Sequence, residues 1–323
     1  MKIQKAGYHG LFFPDLKISV DGYHPEAEIV FVSHAHADHM PRNRLANVVA
    51  TQPTLDFMKR RGFSGYSSSL PFFELFETDL CSVTLYPAGH ILGSAMIFIE
   101  SGQGTLLYTG DYRIPPSPAT EGFHAPEYAD ILITEATFAL PIYKWKPHEE
   151  LAEEIRNFAK ESLNDGFTPI FLGYNLGKAQ ELMHLLAPLN HPMMIDGAGH
   201  KLCDVYENHG ISLGSYTAYD RDTCEGKILV GPGTGFASHL SKTRIAYCSG
   251  WAANESRRTQ LTVDKLIPIS DHLDFFELIR FCKKIAPQKV YITHTPNPAV
   301  VEYYLEKEGI HSMYLDLEPE PED

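Results

Sequence analysis

The chain has 323 residues, a formal net charge of −14, 44% hydrophobic residues and 21% charged residues. That length exceeds what one compact core usually holds and predicts two lobes, or a domain carrying a large insertion. The composition is that of a folded globular chain and excludes a disordered or fibrous one; no apolar run approaches the ~18 residues of a membrane span, so no membrane partner is expected.

The start, Met1-Lys2-Ile3-Gln4-Lys5, has no apolar signal core, which predicts a cytoplasmic location. Five cysteines (Cys81, Cys203, Cys224, Cys248 and Cys282) are scattered with no C-x-x-C pair, which argues against a disulfide framework and against a Cys-type structural zinc site. The acidity is unusual for a nucleic-acid binder, which ordinarily meets phosphates with a basic surface. Bound metal ions can nevertheless dominate a local field.

In chain order, residues 18–20 and 28–32 are β-rich runs that predict short strands. Residues 81–86 alternate polar and apolar, and 95–100 and 105–109 flank a Gly-containing turn that predicts a hairpin. A buried strand is predicted over 130–134. The character then changes. Leu151, Ile155 and Phe158 share one face of a predicted helix over 148–160. Strands over 169–172, 192–195 and 227–230 and a helix over 179–186 read as an α/β layer unit of its own. From 244–248 the strand-rich pattern returns, and a helix over 273–285 and a strand over 289–293 follow. The tail 318–323 is acidic, Pro-rich and predicted to be disordered.

The segment His34-Ala35-His36-Ala37-Asp38-His39 carries the chemistry. Histidines two apart on an extended segment point the same way, and Asp38 and His39 can turn toward a second ion. Imidazole with carboxylate suits zinc, with manganese or iron compatible. Further candidates follow predicted strands: His90 in Ala88-Gly89-His90, Asp111 in Thr109-Gly110-Asp111, and His294 after 289–293. Taken singly, each reads first as a loop or capping residue. Loops at one edge of a sheet would bring them together.

These motifs, in this order over almost the whole chain, resemble the metallo-β-lactamase fold. The resemblance implies an α/β αββα sandwich with a two-metal site at one edge. His34, His36 and His90 would hold one ion, Asp38, His39 and His294 the other, and Asp111 both, while Asp21 would order the His loop from behind.

Three further stretches resemble the β-CASP nucleases of that superfamily: Thr134-Glu135-Ala136-Thr137, Ser270-Asp271-His272-Leu273-Asp274, and Leu176-Gly177-Lys178-Ala179-Gln180-Glu181-Leu182. Residues 137–145 and Ser249-Gly250-Trp251 are similar to a compact bacterial group described as DNA-ligase-associated exonucleases or mRNA 3′-end-processing-like factors. The implied organisation is a metallo-β-lactamase core over 1–147 and 244–323, with an inserted β-CASP α/β domain over 148–243.

The implied function is metal-dependent hydrolysis of nucleic-acid phosphodiesters, as a DNA exonuclease linked to DNA repair, with two zinc ions (manganese compatible). His272 is the expected general acid, Glu135 its orienting partner, and Asp38 and Asp111 also belong to the catalytic set. The substrate would be single-stranded nucleic acid or DNA ends, with DNA ligase or helicase repair proteins as partners. The competing readings are an RNA-processing ribonuclease and a glyoxalase-type small-molecule hydrolase. Expected substrate contacts are Lys178, Lys144, Trp145, Trp251 and Arg257, although each alone reads first as a solvated charge or a core aromatic. Asp271 is expected to cap the helix starting at Leu273. The Gly-rich 231–236 stretch reads as a plain turn, with a phosphate cradle as the alternative.

Overall fold

The computed structural model describes residues 1–7 and 9–316; the tail over 318–323 lies outside the described residues. The chain forms two compact units. The first comprises Met1–Pro115, Glu121–Lys144 and the chain from His272 onward; the second comprises Pro116–Thr120 and Trp145–Asp271.

The first unit contains a six-stranded and a seven-stranded sheet. The strand Ala95–Ser101 shows why they stack. Its side chains alternate across the sheet, as in any strand, and both faces are apolar. Ile97 and Ile99 share a core with Leu11, Phe13, Ile18, Val20 and Phe31 from the other sheet. Met96 and Phe98 face the opposite way, into a second core with Leu278, Phe281 and Ile285 of the helix Phe275–Ile285 and with Val301 and Leu305 of the helix Pro298–Lys307. The strand is covered on both sides and lies in the middle of the layers. The hairpin expected around 101–104 is present, with Ser101 opposite Gly104.

The helix Phe275–Ile285 is capped not by Asp271 but by Asp274. Its carboxylate accepts the Glu277 N–H at 2.8 Å, and Glu277 reciprocates on the Asp274 N–H at 2.9 Å. That reciprocal box needs an acid three residues before a glutamate, and only Asp274 has one there. Beyond the elements expected from sequence, helices Gln52–Arg60, Gly197–Asn208 and Pro298–Lys307 are present.

One edge of the seven-stranded sheet collects the strand ends that matter. Gly104–Tyr108, Ile131–Glu135 and Lys289–Thr293 are mutually parallel neighbours, so all three run out at the same edge. Cys81–Pro87 ends there as well, because Pro87 pairs with Ala95, the first residue of its antiparallel partner. The Ala95 N–H donates to Ser33 O at 2.8 Å, which ties the loop after Ile29–Phe31 of the other sheet to this edge.

The second unit is an all-parallel six-stranded sheet in the order Tyr216–Ala218, Met193–Ile195, Ile228–Gly231, Thr168–Leu172, Thr243–Cys248, Lys265–Ile267. Parallel strands are typically covered on both faces, and Thr168–Leu172 is buried along its whole length. The expected boundary at 243/244 is therefore corrected. Thr243–Cys248 pairs with Thr168–Leu172, Lys265–Ile267 adds to it, and the chain rejoins the first unit at His272. An apolar strand pattern does not reveal which sheet receives the strand. The 231–236 stretch leads from Ile228–Gly231 into a short 3₁₀ turn, Thr234–Ala237.

Among the described residues, no helix is long and apolar enough to cross a membrane.

Candidate metal centre and hydrolytic site

Asp21 is the anchor. It follows the strand Ile18–Val20, is 2% exposed, and sits in the left-handed region at φ 53°. Its Oδ1 accepts the Ser33 N–H at 2.7 Å; its Oδ2 accepts the Ser33 hydroxyl at 2.6 Å, the Tyr108 hydroxyl at 2.9 Å and His39 Nδ1–H at 2.7 Å. A carboxylate has no proton to give, so His39 must carry a proton on Nδ1, which leaves Nε2 as the atom that can ligate a metal.

The same logic runs through two more histidines. The Ser33 hydroxyl is spent on Asp21, so His34 Nδ1, 3.0 Å from Ser33 Oγ, is the donor there. The Thr293 hydroxyl donates to Thr134 O at 3.3 Å, so His294 Nδ1, 3.0 Å away, donates to it. Each of these rings then turns its Nε2, the atom that can ligate, inward. His39 Nε2 and His294 Nε2 are buried without a hydrogen-bond partner.

The inward nitrogens converge. His36 Nδ1 lies 3.0 Å from His34 Nε2 and 3.1 Å from His90 Nε2. Asp111 Oδ2 lies 3.6 Å from His34 Nε2 and 3.7 Å from both His90 Nε2 and His39 Nε2. The contacts to Asp111 are too long for hydrogen bonds. They suit donors around a shared cation: with bonds of ~2.1 Å, the corners of a tetrahedron are about 3.4 Å apart. His34, His36, His90 and Asp111 thus form one donor set, with all ligand atoms within 4.8 Å of one another. His39, 3.7 Å from Asp111 Oδ2, with Asp38 Oδ2 at 3.9 Å and the His294 ring stacked on it at 5.2 Å between centroids, extends the cluster. Two orphaned buried nitrogens and a nitrogen-rich donor set fit a bound metal ion.

The electrostatics agree. Burial pushes the Asp111 carboxyl up to about 6. Burial alone would lower His39, but the Asp111 and Asp21 carboxylates outweigh it and raise the imidazole to about 9. In the metal-free chain a proton therefore supplies the positive charge that the carboxylates require. His294 is driven down to about 3 by burial, then by His39, and stays neutral. Gly110 lets Asp111 reach this position. It sits at φ 53°, and a Cβ there would stand 2.6 Å from Ser33 Cβ.

A second constellation lies against the first. His272 Nδ1 is 2.7 Å from Glu135 Oε1. Glu135, 1% exposed, also accepts Thr137 Oγ1–H at 2.5 Å, Thr137 N–H at 3.2 Å and Tyr112 N–H at 3.3 Å. Burial works to raise the Glu135 carboxyl, but His272 and Thr137 outweigh it and hold it below its usual range. Asp111, Glu135 and His272 offer ligand atoms within 4.8 Å of one another, and the His272 ring is 4.8 Å from that of His90.

Of the residues expected from sequence, His34, His36, Asp38, His39, His90, Asp111, His294, Asp21, Glu135 and His272 fall in these two constellations. Lys178 does not belong with the substrate contacts. It is 1% exposed, and its ammonium is 2.5 Å from Glu181 Oε2 inside the second unit. Ser117 and His148 reach the other Glu181 oxygen at 2.9 and 3.0 Å, so the ion pair is fully enclosed. Lys144 is exposed on the first unit, and Trp145, Trp251 and Arg257 are partly buried in the second.

Sequence reasoning missed His9. Its ring lies 4.4 Å from that of His294 and 6.2 Å from that of His39. A single histidine between strands, with no neighbouring ligand type, carried no signal.

A scan against protein-family models finds no match. Among curated proteins, the chain is 34% identical over 293 residues to a "Probable DNA ligase" of Opitutus terrae, which covers 88% of this chain and 28% of that protein. It is 27% identical over 184 residues to an "RNase J-like protein" of Methanocaldococcus jannaschii, covering 49% of this chain and 43% of that protein. The chain therefore spans less than half the length of these relatives. A crystal structure of a protein of unknown function from Enterococcus faecalis shares the fold, with a TM-score of 0.63 at 15% identity over 90% of this chain and 79% of that one. With a two-sheet core, a metal-ligand cluster at its edge, a Glu–His pair beside it and a parallel α/β unit inserted between them, the chain belongs to the metallo-β-lactamase-fold β-CASP nuclease family.

Proposed function

We propose that this chain is a two-metal phosphodiesterase that hydrolyses nucleic acid, acting as a DNA exonuclease in repair. The observation that carries this reading is the Glu135–His272 pair set against the metal-ligand cluster. A phosphodiester leaves as an alkoxide, which needs a proton, and a histidine oriented by a buried carboxylate is built to give one. A lactam or thioester hydrolase of the glyoxalase type has no need for this pair or for the second unit.

His34, His36 and His90 would hold one zinc ion and Asp38, His39 and His294 the other, with Asp111 common to both; manganese is compatible with the same donors. When bound, the ions supply Lewis acidity, lowering the pKa of water and neutralising phosphate oxygens. The chain's own residues do the rest. Asp21, through the Nδ1–H of His39, and Ser33, through that of His34, keep both imidazoles aimed inward. Water gives up a proton to solvent and attacks phosphorus, the P–O bond to the departing strand breaks, and His272 donates its Nε2 proton to the leaving oxygen and is reprotonated from solvent. Glu135 holds the Nδ1–H throughout, which fixes the tautomer and stabilises the imidazolium. A positioned acid of this kind contributes ~10²–10⁴-fold in rate.

Similarity to part of a protein named a DNA ligase supports DNA as substrate and a link to strand joining; ligase or helicase repair partners and a cytoplasmic site of action belong to the same proposal. Similarity to an RNase J-like protein supports the second reading, RNA processing. The test is digestion of end-labelled single-stranded DNA and RNA, with Zn²⁺ or Mn²⁺, by the purified chain. Products from DNA ends are expected. Turnover of a thioester or lactam with no cleavage of either nucleic acid would overturn the phosphodiesterase reading.

A further inference from the structure

A cavity of about 360 Å³ opens beside the metal-ligand loop, lined by Ala37, Met40, Arg42, Arg44, Arg61 and Ser64 among others. Ala37 lies between the proposed ligands His36 and Asp38, so the cavity wall and the ligand loop are the same piece of chain. Its other wall is the turn after the helix Gln52–Arg60. The two walls are closely fitted. A Cβ at Gly65 would lie 2.6 Å from the tip of the Phe63 ring and 3.0 Å from Arg44 O, so a larger residue there would have to displace the ring and press on the 41–45 segment.

Three arginines face one cavity in a chain whose net charge is −14. Surface arginines in so acidic a chain ordinarily find a carboxylate. The guanidinium groups of Arg42, Arg44 and Arg61 have no hydrogen bond or ion pair among the described residues. Burial lowers the Arg61 pKa, and the Asp38 carboxylate acts against it. Guanidinium forks match tetrahedral phosphate oxygens geometrically and keep their charge at any working pH.

We propose that Arg42, Arg44 and Arg61 form a phosphate subsite that takes a phosphate of the nucleic-acid strand flanking the bond cut at the metal centre. This rests on the phosphodiesterase reading above. The phosphate comes either from the backbone or from a strand terminus; the chemistry is the same, and the test separates the two.

The test measures binding of labelled single-stranded oligonucleotides, carrying either a terminal phosphate or a hydroxyl, by anisotropy over a range of salt. The zinc-loaded full chain is used in a His272→Ala background so that the strand survives. Each Arg→Ala change is expected to weaken binding roughly tenfold and to reduce the slope of log K against log[salt] by about 0.7. A backbone phosphate gives that loss for both termini. A terminal phosphate gives tighter parent binding to the phosphorylated strand, and the variants erase the difference.

Hydrolysis of bis(p-nitrophenyl) phosphate, in chains retaining His272, reports on the metal centre alone, and the arginine variants should leave it unchanged. A triple variant, Arg42→Ala with Arg44→Ala and Arg61→Ala, that keeps the parent's affinity and salt slope overturns the subsite. So does a parent that turns over the small diester yet binds no oligonucleotide. A parent inert toward every phosphodiester removes the functional reading instead, while the binding series still decides the subsite.

Discussion

Asp21→Asn is the most informative change at the metal centre, because it removes no proposed ligand. One carboxylate oxygen of Asp21 receives three donors, from Ser33, Tyr108 and His39, all in the dry interior. Asparagine keeps the shape but presents either an amide NH₂ or a neutral carbonyl to them. An NH₂ facing His39 Nδ1 demands the other tautomer, which puts the proton on Nε2, the atom that would ligate. A carbonyl facing it keeps the tautomer but turns the NH₂ toward the Ser33 N–H, a donor facing a donor. Loss of such a partner behind a ligating histidine typically costs 10–100-fold in metal affinity, or about 1.4–2.7 kcal/mol. Leaving buried donors poorly paired adds roughly 1–3 kcal/mol of lost stability. Zinc affinity is read by competition with a chromophoric chelator, and stability by thermal unfolding of the metal-free chain. Tyr108→Phe is the control. It removes one donor to the same oxygen without touching His39, and should cost about 1 kcal/mol in stability while sparing zinc. Parent-like zinc affinity in Asp21→Asn would refute the orienting role.

His272→Ala should keep two metal ions per chain by metal analysis and lose ~10²–10⁴-fold in kcat; loss of one ion would make it a ligand instead. Asp38→Ala should retain the ion held by His34, His36 and His90 and lose the other, and a measured stoichiometry still at two would remove Asp38 from the ligand set. Lys178→Ala strands the Glu181 carboxylate in the second unit. It should cost ~3–5 kcal/mol and lower Tm by on the order of 10 °C. An unchanged Tm with weakened nucleic-acid binding would restore Lys178 as a substrate contact.

The His–Asp cluster that could hold a metal was legible because ligand chemistry leaves a local mark. His34, His36, Asp38 and His39 crowd one loop, and His90, Asp111 and His294 each follow an apolar run that ends at a sheet edge. Lys178 misled for a physical reason. Between a glycine loop and a helix it looks solvent-facing, and only the packing of Glu181, His148 and Ser117 around it shows the charge to be enclosed. The domain boundary failed in a similar way, since Thr243–Cys248 is a strand in either reading and its hydrogen-bond partner alone assigns it to the second unit. His9, and the three arginines around one cavity, had no spacing to betray them.

Residue type and spacing by themselves determined which side chains can bind a metal and which strands carry them, because both depend on the few residues to either side. Tertiary structure decided which nitrogen of each histidine turns inward, since that depends on Asp21, Ser33 and Thr293 arriving from other strands. It also decided which charges are paired in the interior and which are left unpaired around a cavity, because burial and partnership are properties of the packed chain.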